Sequence, residues 1–259
     1  MPQIPIVSII TPAYNCETTI AQTIDSVLSQ SLEDWEMIIV DDFSSDNTKK
    51  ILFDYARKDS RLIILENSSN SGVSASRNRA IASSRGRFIA FLDSDDYWDR
   101  YKLEKQLTFM LARNIAFSYH DYFIVNGAGL IVKKVLCPPE FSYRKYLLNN
   151  GIGVLTIMID VLQVGKPHMY NQPVAATVAT WLTILKNGNK AYRAPTSLGY
   201  YRITKGSLSR NKLRSRYWYW RALVDILRIN PIMATFYVFV SSVLAVKKNF
   251  TFIRLNIPY

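Results

Sequence analysis

Residues 37–46 read Met37-Ile38-Ile39-Val40-Asp41-Asp42-Phe43-Ser44-Ser45-Asp46, an apolar run that ends in two carboxylates. A second apolar run, Phe88 to Leu92, ends in the same way, in Asp93-Ser94-Asp95-Asp96. Carboxylates at the carboxyl ends of buried strands face the crevice in which open α/β sheets bind ligands. Three carboxylates within four residues repel one another unless a cation or a set of hydrogen-bond donors compensates them. These two stretches therefore predict a metal-assisted site for a charged, phosphate-bearing ligand.

Outward from these two runs, short apolar strands alternate with helical patterns from residue 6 to residue 92. The predicted strands cover 6–11, 36–41, 62–66 and 87–92, and the predicted helices cover 18–30, 46–58 and 75–83. This β-α-β-α order implies a parallel sheet with right-handed crossovers. The loop from Thr11 to Cys16 lacks the G-x-G-x-x-G pattern, which counts against an ordinary dinucleotide-binding Rossmann domain.

After Asp96 the alternation of strands and helices is less regular. We predict a helix over 102–113, strands near 116–124 and 130–136, and a helix near 174–187. No internal repeat or low-complexity linker interrupts the chain. The sequence thus predicts a main domain over residues 1–210 and a basic, helical tail over 211–259.

The positive charge of the chain is concentrated near its end. Residues 186–259 hold 14 of the 32 Lys and Arg residues and one acid, Asp225, so this segment carries +13, whereas residues 1–185 carry −1. Such asymmetry indicates a polyanionic partner, either nucleic acid or an anionic membrane surface. No signature of an RNA-binding module is present, so nucleic acid is not the expected partner.

The tail also contains an apolar stretch from Pro231 to Val246, closed by Lys247-Lys248. As a helix it would span about 24 Å, which is short of the roughly 30 Å hydrocarbon core of a bilayer. The pattern therefore favours a helix that lies on the membrane surface or inserts partly. A buried core helix beside a solvated basic segment is the alternative.

The cysteines and the first residues bear on the compartment. Cys16 and Cys137 form neither a disulfide framework nor a zinc spacing, so a reducing cytosol is expected. The residues after Met1 lack the basic and apolar regions of a signal peptide, and we expect the mature protein to begin there.

Five segments of about the first 100 residues occur in an order shared by one enzyme family. They are Val7–Asn15, Ser26–Ser31, Trp35–Asp46, Asn70–Asn78 and Phe91–Asp96. Together they resemble the family 2 glycosyltransferases, and a later segment, Leu198–Ser209, does so as well. The layout is similar to that of short bacterial members that build cell-surface polysaccharides. The resemblance implies an α/β GT-A nucleotide-sugar-binding fold, with a mostly parallel central sheet flanked by helices.

The resemblance also implies which residues bind the nucleotide-sugar donor. Thr11, Ala13 and Tyr14 lie at the end of the first strand, where the family binds the nucleotide. Asp42, with Asp41 beside it, matches the carboxylate that accepts hydrogen bonds from the base, usually uracil. On their own, these two aspartates would fit a turn or a helix cap equally well.

Arg77 matches a basic residue near the diphosphate, where a planar guanidinium suits phosphate oxygens. Without the resemblance, Arg77 would fit a solvated helix position. Asp93-Ser94-Asp95 has the DXD form of the family, and Asp96 extends it. The resemblance implies that Asp93, Asp95 and Asp96 hold Mg²⁺ or Mn²⁺, hard cations that prefer oxygen ligands. Such a metal would neutralise charge on the departing nucleoside diphosphate; a turn-rich acidic loop is the alternative.

The chain departs from the family at the expected catalytic base. The family usually inverts the anomeric centre, and a carboxylate a few residues before a tryptophan removes the proton of the acceptor hydroxyl. Alignment on Trp181 places Thr177 at this position, and no acid lies between Asp160 and Asp225. His168 and Asp160 are alternative bases, although an ordinary loop histidine and a helix-starting aspartate explain them as well.

The resemblance implies a sugar transferase that moves a sugar from a nucleotide diphosphate-sugar, namely a UDP-sugar, to a saccharide or polyprenyl-linked acceptor. The resemblance and the basic tail together imply a cytoplasmic protein that is peripheral at the inner face of the cell membrane. Because Thr177 cannot act as a base near neutral pH, a catalytically impaired nucleotide-sugar-binding subunit is the alternative.

Overall fold

The computed structural model describes residues 4–171, 175–203 and 212–250, with the side chains of residues 212 and 246–250 left aside. The described strands are β1 Val7–Ala13, β2 Trp35–Asp41, β3 Leu62–Glu66, β4 Phe88–Phe91, β5 Tyr97–Trp98, β6 Phe117–Val125, β7 Ile131–Val135, β8 Glu140–Phe141, β9 Met158–Asp160 and β10 Ala191–Arg202. The described helices are α1 Ile20–Leu28, α2 Thr48–Ala56, α3 Val73–Ser83, α4 Lys102–Arg113, α5 Tyr143–Leu148, α6 Val161–Val164, α7 Ala176–Lys186, α8 Lys212–Arg221 and α9 Pro231–Phe250. A π-helical segment, Ala222–Ile226, continues α8.

These strands form one mixed sheet in the order β3-β2-β1-β4-β9-β6-β10-β5, with β7 paired to β6 and β8 to β10. The first four strands in the chain run parallel, which confirms the predicted parallel sheet. β1 and β2 are buried along their whole length, because these mainly apolar strands are covered on both faces. Ile9 and Ile39 pack with α1 and α2 on one face, whereas Ile10 and Val40 pack with α3 on the other.

The second half of the sheet contains a long strand, β10, that the sequence analysis did not predict. β9 is three residues long and lies antiparallel between β4 and β6. β10 is twelve residues long and pairs parallel to β6, with register shifts between Ala194 and Ser197 and between Ser197 and Tyr200. The helices predicted over 102–113 and 174–187 and the strands predicted near 116–124 and 130–136 are present.

The amino end of β4 is fixed by a buried carboxylate. Glu36 is 2% exposed and accepts hydrogen bonds from the Ser8 hydroxyl and from the main chain and guanidinium of Arg85. Gly86 follows, and a Cβ there would lie 2.6 Å from the main-chain nitrogen of Ser8, so only glycine lets the two strands approach this closely. This anchor sets the position of β4 and therefore of the acidic loop at its other end.

The C-terminal helices share the core of the sheet domain. Tyr219 of α8 is buried and donates its hydroxyl to the carbonyl of Leu147, and Ala222 packs against Ala175 and Ala179 beside α7. In α9, Ala234 is fully buried. None of the helices in the described part of the chain combines the length and the hydropathy needed to cross a membrane.

Candidate functional site

The predicted nucleotide-binding residues meet at one edge of the sheet. β1 and β2 end side by side, with Ala13 paired to Asp41, and the main-chain nitrogen of Asp42 donates to the carbonyl of Ala13 at 2.8 Å. Tyr14 is 51% exposed at this edge, whereas Thr11, two residues before Ala13 in β1, is fully buried. The parallel pairing of β1, β2 and β4 therefore brings the two acidic stretches to a single crevice, as the sequence predicts.

Asp42 is tied to the start of α3. One carboxylate oxygen accepts from Asn67 Nδ2 at 2.7 Å and from the Ser71 nitrogen at 2.9 Å, and the other accepts from the Gly72 nitrogen at 2.8 Å. Burial alone would raise the pKa of Asp42, but these hydrogen bonds outweigh it and hold the pKa below its usual range. Asp42 is thus an ionised anchor for the Asn70-Ser71-Gly72 turn, and its contact with a base stays a prediction.

Asp41 and Thr11 present polar atoms that the protein leaves unpaired. Asp41 is 2% exposed; its Oδ2 accepts from the Ser44 nitrogen, while its Oδ1 has no partner among the described residues. The buried hydroxyl of Thr11 also has no partner among them. Buried polar groups without partners cost free energy, so an unpaired carboxylate oxygen at the end of β2 and an unpaired hydroxyl near the end of β1 fit a site that solvent or a ligand completes.

Arg77 connects this crevice with the acidic loop. Its side chain lies in α3, only 5% of the residue is exposed, and its Nη2 donates to Asp93 Oδ1 at 2.5 Å. The buried Nε of Arg77 has no partner among the described residues. The structure therefore places the predicted phosphate-binding cation beside the first aspartate of the DXD loop, with one donor still available.

Side chains on both sides of the acidic loop hold it by hydrogen bonds to its main-chain carbonyls. On one side, the hydroxyls of Thr19, directly before α1, and of Thr23 in α1 donate to the carbonyl of Ser94 at 2.9 and 3.0 Å. On the other side, Arg202 Nε donates to the carbonyl of Asp95 at 2.9 Å. Neither contact is part of the sequence prediction. In the sequence, the two threonines could be recognised only by their i, i+4 spacing on the helix after β1. Arg202 could be recognised only by its place in the late family segment, Leu198–Ser209.

Asp96 differs from the other aspartates of this loop. It is 1% exposed, and its Oδ1 accepts from the main-chain nitrogen of Arg202 at 2.9 Å. Burial, followed by the charges of Asp95 and Asp93, raises the pKa of Asp96 well above its usual range. Asp96 therefore points into the protein, which argues against it as a metal ligand, and metal binding by Asp93 and Asp95 stays a prediction.

Known proteins are similar to this chain in sequence. The family model described as Glycosyl transferase family 2 matches residues 8–165, which include the carboxyl ends of β1, β2 and β4 and the whole acidic loop. The chain belongs to glycosyl transferase family 2. The Bacillus subtilis (strain 168) protein TuaG, named for teichuronic acid biosynthesis, is 42% identical over 89% of this chain and 92% of its own. The Escherichia coli UDP-Glc:alpha-D-GlcNAc-diphosphoundecaprenol beta-1,3-glucosyltransferase WfgD is 39% identical over 94% of this chain and 95% of its own.

Solved structures confirm the predicted GT-A fold of this glycosyltransferase. The crystal structure of S. aureus TarS in complex with UDP-GlcNAc aligns with a TM-score of 0.67, at 19% identity, over 96% of this chain and 74% of its own. The mannosyltransferase PcManGT of Pyrobaculum calidifontis, in complex with GDP-Man and Mn²⁺, aligns with the same TM-score at 15% identity, over 96% of this chain and 76% of its own.

Thr177, the residue at the expected base position of this glycosyltransferase, lies in the first turn of α7. Later in α7, the Trp181 ring packs edge-on against Phe91 at 5.3 Å and against Phe117 at 5.6 Å. α7 leads into β10, which starts opposite Phe117 at the amino end of β6, so the first turn of α7 lies toward the carboxyl edge of the sheet. Thr177 is half-buried there, and its place beside an acceptor stays a prediction.

The two alternative bases lie elsewhere. Asp160 pairs with Phe88 at the amino end of β4, away from the DXD loop; it is 1% exposed, binds Arg87 at 2.8 Å and caps α6. Asp160 is therefore a structural residue, and its prediction as a base is wrong. His168 is exposed and lines a shallow pocket against the second half of α7, beside Thr183 and Asn187. That pocket shares no residue with the crevice at the ends of β1, β2 and β4.

Proposed function

We propose that this glycosyltransferase moves a sugar from a UDP-sugar to a lipid-linked saccharide in the synthesis of a bacterial surface polysaccharide. The observation that carries the proposal is the meeting of the two acidic stretches at the carboxyl ends of β2 and β4, with Asp41 paired to Ala13 of β1 and Arg77 of α3 bound to Asp93 of the DXD loop. The names of TuaG and WfgD support the polysaccharide and the lipid-linked acceptor.

In this proposal the nucleotide lies across the ends of β1 and β2. Asp41 and Thr11 offer hydrogen bonds to the base, with Asp42 holding the turn beside it. Arg77 directs its guanidinium at the diphosphate. Asp93 and Asp95 provide oxygen ligands suited to Mg²⁺ or Mn²⁺, which would stabilise the charge on the departing nucleoside diphosphate. The remaining task, removal of the proton from the acceptor hydroxyl, falls to the region around Thr177, where the chain has no carboxylate.

A second candidate is a nucleotide-sugar-binding subunit with little or no transferase activity, and Thr177 is the observation that favours it. General-base help is worth about 10²–10⁴-fold in rate, so the chain would bind the donor normally and transfer slowly. The two candidates share the donor site and differ on the acceptor side.

The donor site is tested by the thermal stability of the protein with UDP-glucose, UDP-N-acetylglucosamine and GDP-mannose, each with and without Mn²⁺. At about 100 times Kd, a ligand that binds only the folded chain adds about 2.7 kcal/mol, which corresponds to a Tm increase of about 5 °C or more. We expect this increase with a UDP-sugar and Mn²⁺. No increase with any nucleotide sugar would reject both candidates, and release of UDP on adding a lipid-linked acceptor would reject the binding-only subunit.

We also propose that α9 attaches the protein to the anionic inner surface of the cell membrane. One side of α9 exposes large apolar side chains at helical spacing: Ile232 at 79%, Phe236 at 53%, Phe239 at 66% and Val243 at 40%. The surrounding segment is strongly basic, with one acid in residues 186–259. A helix with such a stripe and a basic neighbourhood lies in the interface of an anionic bilayer.

Membrane attachment is tested with the double variant Phe236→Gln/Phe239→Gln in sedimentation with phosphatidylglycerol-containing vesicles. We expect vesicle affinity to fall by about 10-fold or more, because two aromatic side chains no longer enter the bilayer. Leu162→Gln is the matched control, since Leu162 is 75% exposed on α6, outside the stripe. Unchanged vesicle binding by the double variant, or tight salt-sensitive binding of the native chain to oligonucleotides, would reject the proposal.

A further inference from the structure

Four side chains form one continuous row across the second half of the sheet. Tyr97 of β5 pairs with Tyr200 of β10, Tyr200 pairs with Phe123 of β6, and Phe123 pairs with Lys134 of β7. Because directly paired residues point to the same face of a sheet, the four side chains stand next to one another. We call Tyr97, Tyr200 and Phe123 the aromatic row.

The rings of the aromatic row are stacked, and a cation covers each end. Tyr97 and Tyr200 are nearly parallel, at 8° with centroids 4.7 Å apart, and Phe123 and Tyr200 stack at 22° and 5.5 Å. The Arg202 guanidinium lies 5.6 Å from the Tyr97 centroid, and Lys134 Nζ lies 5.6 Å from that of Phe123. Every ring in the row therefore has its faces covered by neighbours.

The exposed part of the aromatic row is polar in character. All three rings are half-buried, so with their faces covered they present their edges and the two phenol groups. Ring edges carry the positive part of the aromatic quadrupole. A tyrosine hydroxyl is protonated at neutral pH and can donate a hydrogen bond. Ring edges, hydroxyl donors and two cations suit a ligand rich in electronegative oxygen and are a poor match for a hydrocarbon chain.

The aromatic row is continuous with the DXD loop. Tyr97 follows Asp95 by two residues, and Arg202, which covers Tyr97, also donates to the carbonyl of Asp95. Phe123 lies on the same face of β6 as Tyr119, whose ring is buried in the core cluster that includes Trp181 of α7. The aromatic row therefore extends from the DXD loop along the face of the sheet that α7 covers. Thr177 lies in the first turn of α7.

We propose that the aromatic row is the acceptor subsite, which receives the saccharide and diphosphate of the lipid-linked acceptor. This inference rests on the proposed function, because it assumes transfer at the DXD loop. The sugar hydroxyls meet the phenol groups and ring edges, and the diphosphate lies near Lys134 or Arg202. The hydrocarbon part of the acceptor remains in the membrane and contacts the apolar stripe of α9.

The experiment measures donor and acceptor binding separately. The acceptor probe is N-acetylglucosaminyl diphosphate with a short alkyl tail, and the donor probe is UDP with Mn²⁺; both are titrated by calorimetry. The variants are Tyr200→Ala, Tyr200→Phe and Phe123→Leu, and the matched control is Tyr101→Ala, which removes a tyrosine that is 44% exposed directly before helix α4. Tyr200→Phe and Phe123→Leu keep side-chain volume in place if Tyr200→Ala does not fold.

We expect Tyr200→Ala and Phe123→Leu to weaken acceptor binding by about 10-fold or more, with UDP affinity within about twofold of the native value. Tyr200→Phe should give a smaller loss, and Tyr101→Ala none. Acceptor binding that is equal in all variants, or that is absent from the native chain while UDP binds, would overturn the subsite and leave the donor site intact. Absence of UDP binding from the native chain would overturn the proposed function and the subsite with it.

Discussion

Thr177→Asp is expected to raise the kcat for sugar transfer by about 10²–10⁴-fold, the usual contribution of a positioned general base. Thr177 lies in the first turn of α7, a helix of eleven residues with no acidic side chain in its first turn. A carboxylate is favoured there by the helix dipole and would remain ionised near neutral pH, ready to accept the proton of the acceptor hydroxyl. The measurement is UDP release with a lipid-linked acceptor at saturating donor.

The control for this variant is Thr177→Asn, which has nearly the same shape as aspartate and no basic oxygen. UDP affinity should be the same in all three proteins, because Thr177 contributes nothing to the nucleotide crevice. Equal kcat for Thr177→Asp and Thr177→Asn, together with fast native turnover, would show that another group serves as the base. Equal and very slow turnover in all three would favour the binding-only subunit.

Asp95→Ala is expected to weaken UDP-sugar binding by about 10–100-fold when Mn²⁺ is present and to leave the weaker metal-free binding unchanged. Asp95 is chosen over Asp93 because removal of Asp93 would leave the buried Arg77 without its ionic partner, which destabilises the fold by about 3–5 kcal/mol. The measurement is UDP-sugar affinity in the native chain and the variant, with Mn²⁺ and with a chelator.

Asp25→Ala is the matched control for charge, since Asp25 is exposed on α1 and contacts Tyr55 rather than the DXD loop. It should bind the donor like the native chain under both conditions. If the native chain binds the UDP-sugar equally well with Mn²⁺ and with chelator, the metal has no part in donor binding and the assignment of Asp93 and Asp95 fails.

The sequence predicts the first half of the sheet well because each strand there is a short, mainly apolar segment and helical patterns separate the strands. Such segments are typical of parallel strands buried on both faces, and β1, β2 and β4 are buried along their whole length. It does not predict β10, because the shifts of register around Ser197 interrupt the alternation of side chains along the strand.

The same limit applies to the site. The positions of Asp42 and Asp93 follow from their place after parallel strands, but the direction of each carboxylate depends on residues far away in the chain. Asp96 turns inward because Arg202, 106 residues later, supplies the donor for its Oδ1. Spacing within Asp93-Ser94-Asp95-Asp96 contains no information about that partner, so three adjacent carboxylates look equivalent in sequence and are not equivalent in the fold.

The ion pair between Arg77 and Asp93 has a consequence for how charge is balanced when the donor enters. Before binding, each of these side chains neutralises the other, so neither the cation nor the carboxylate is isolated in the protein interior. In the proposed donor complex, a divalent cation and a diphosphate would give each of them a new counter-ion, and departure of the products would restore the original pair. The proposed site would thus alternate between two electrically compensated states, and neither would require an uncompensated charge within the fold.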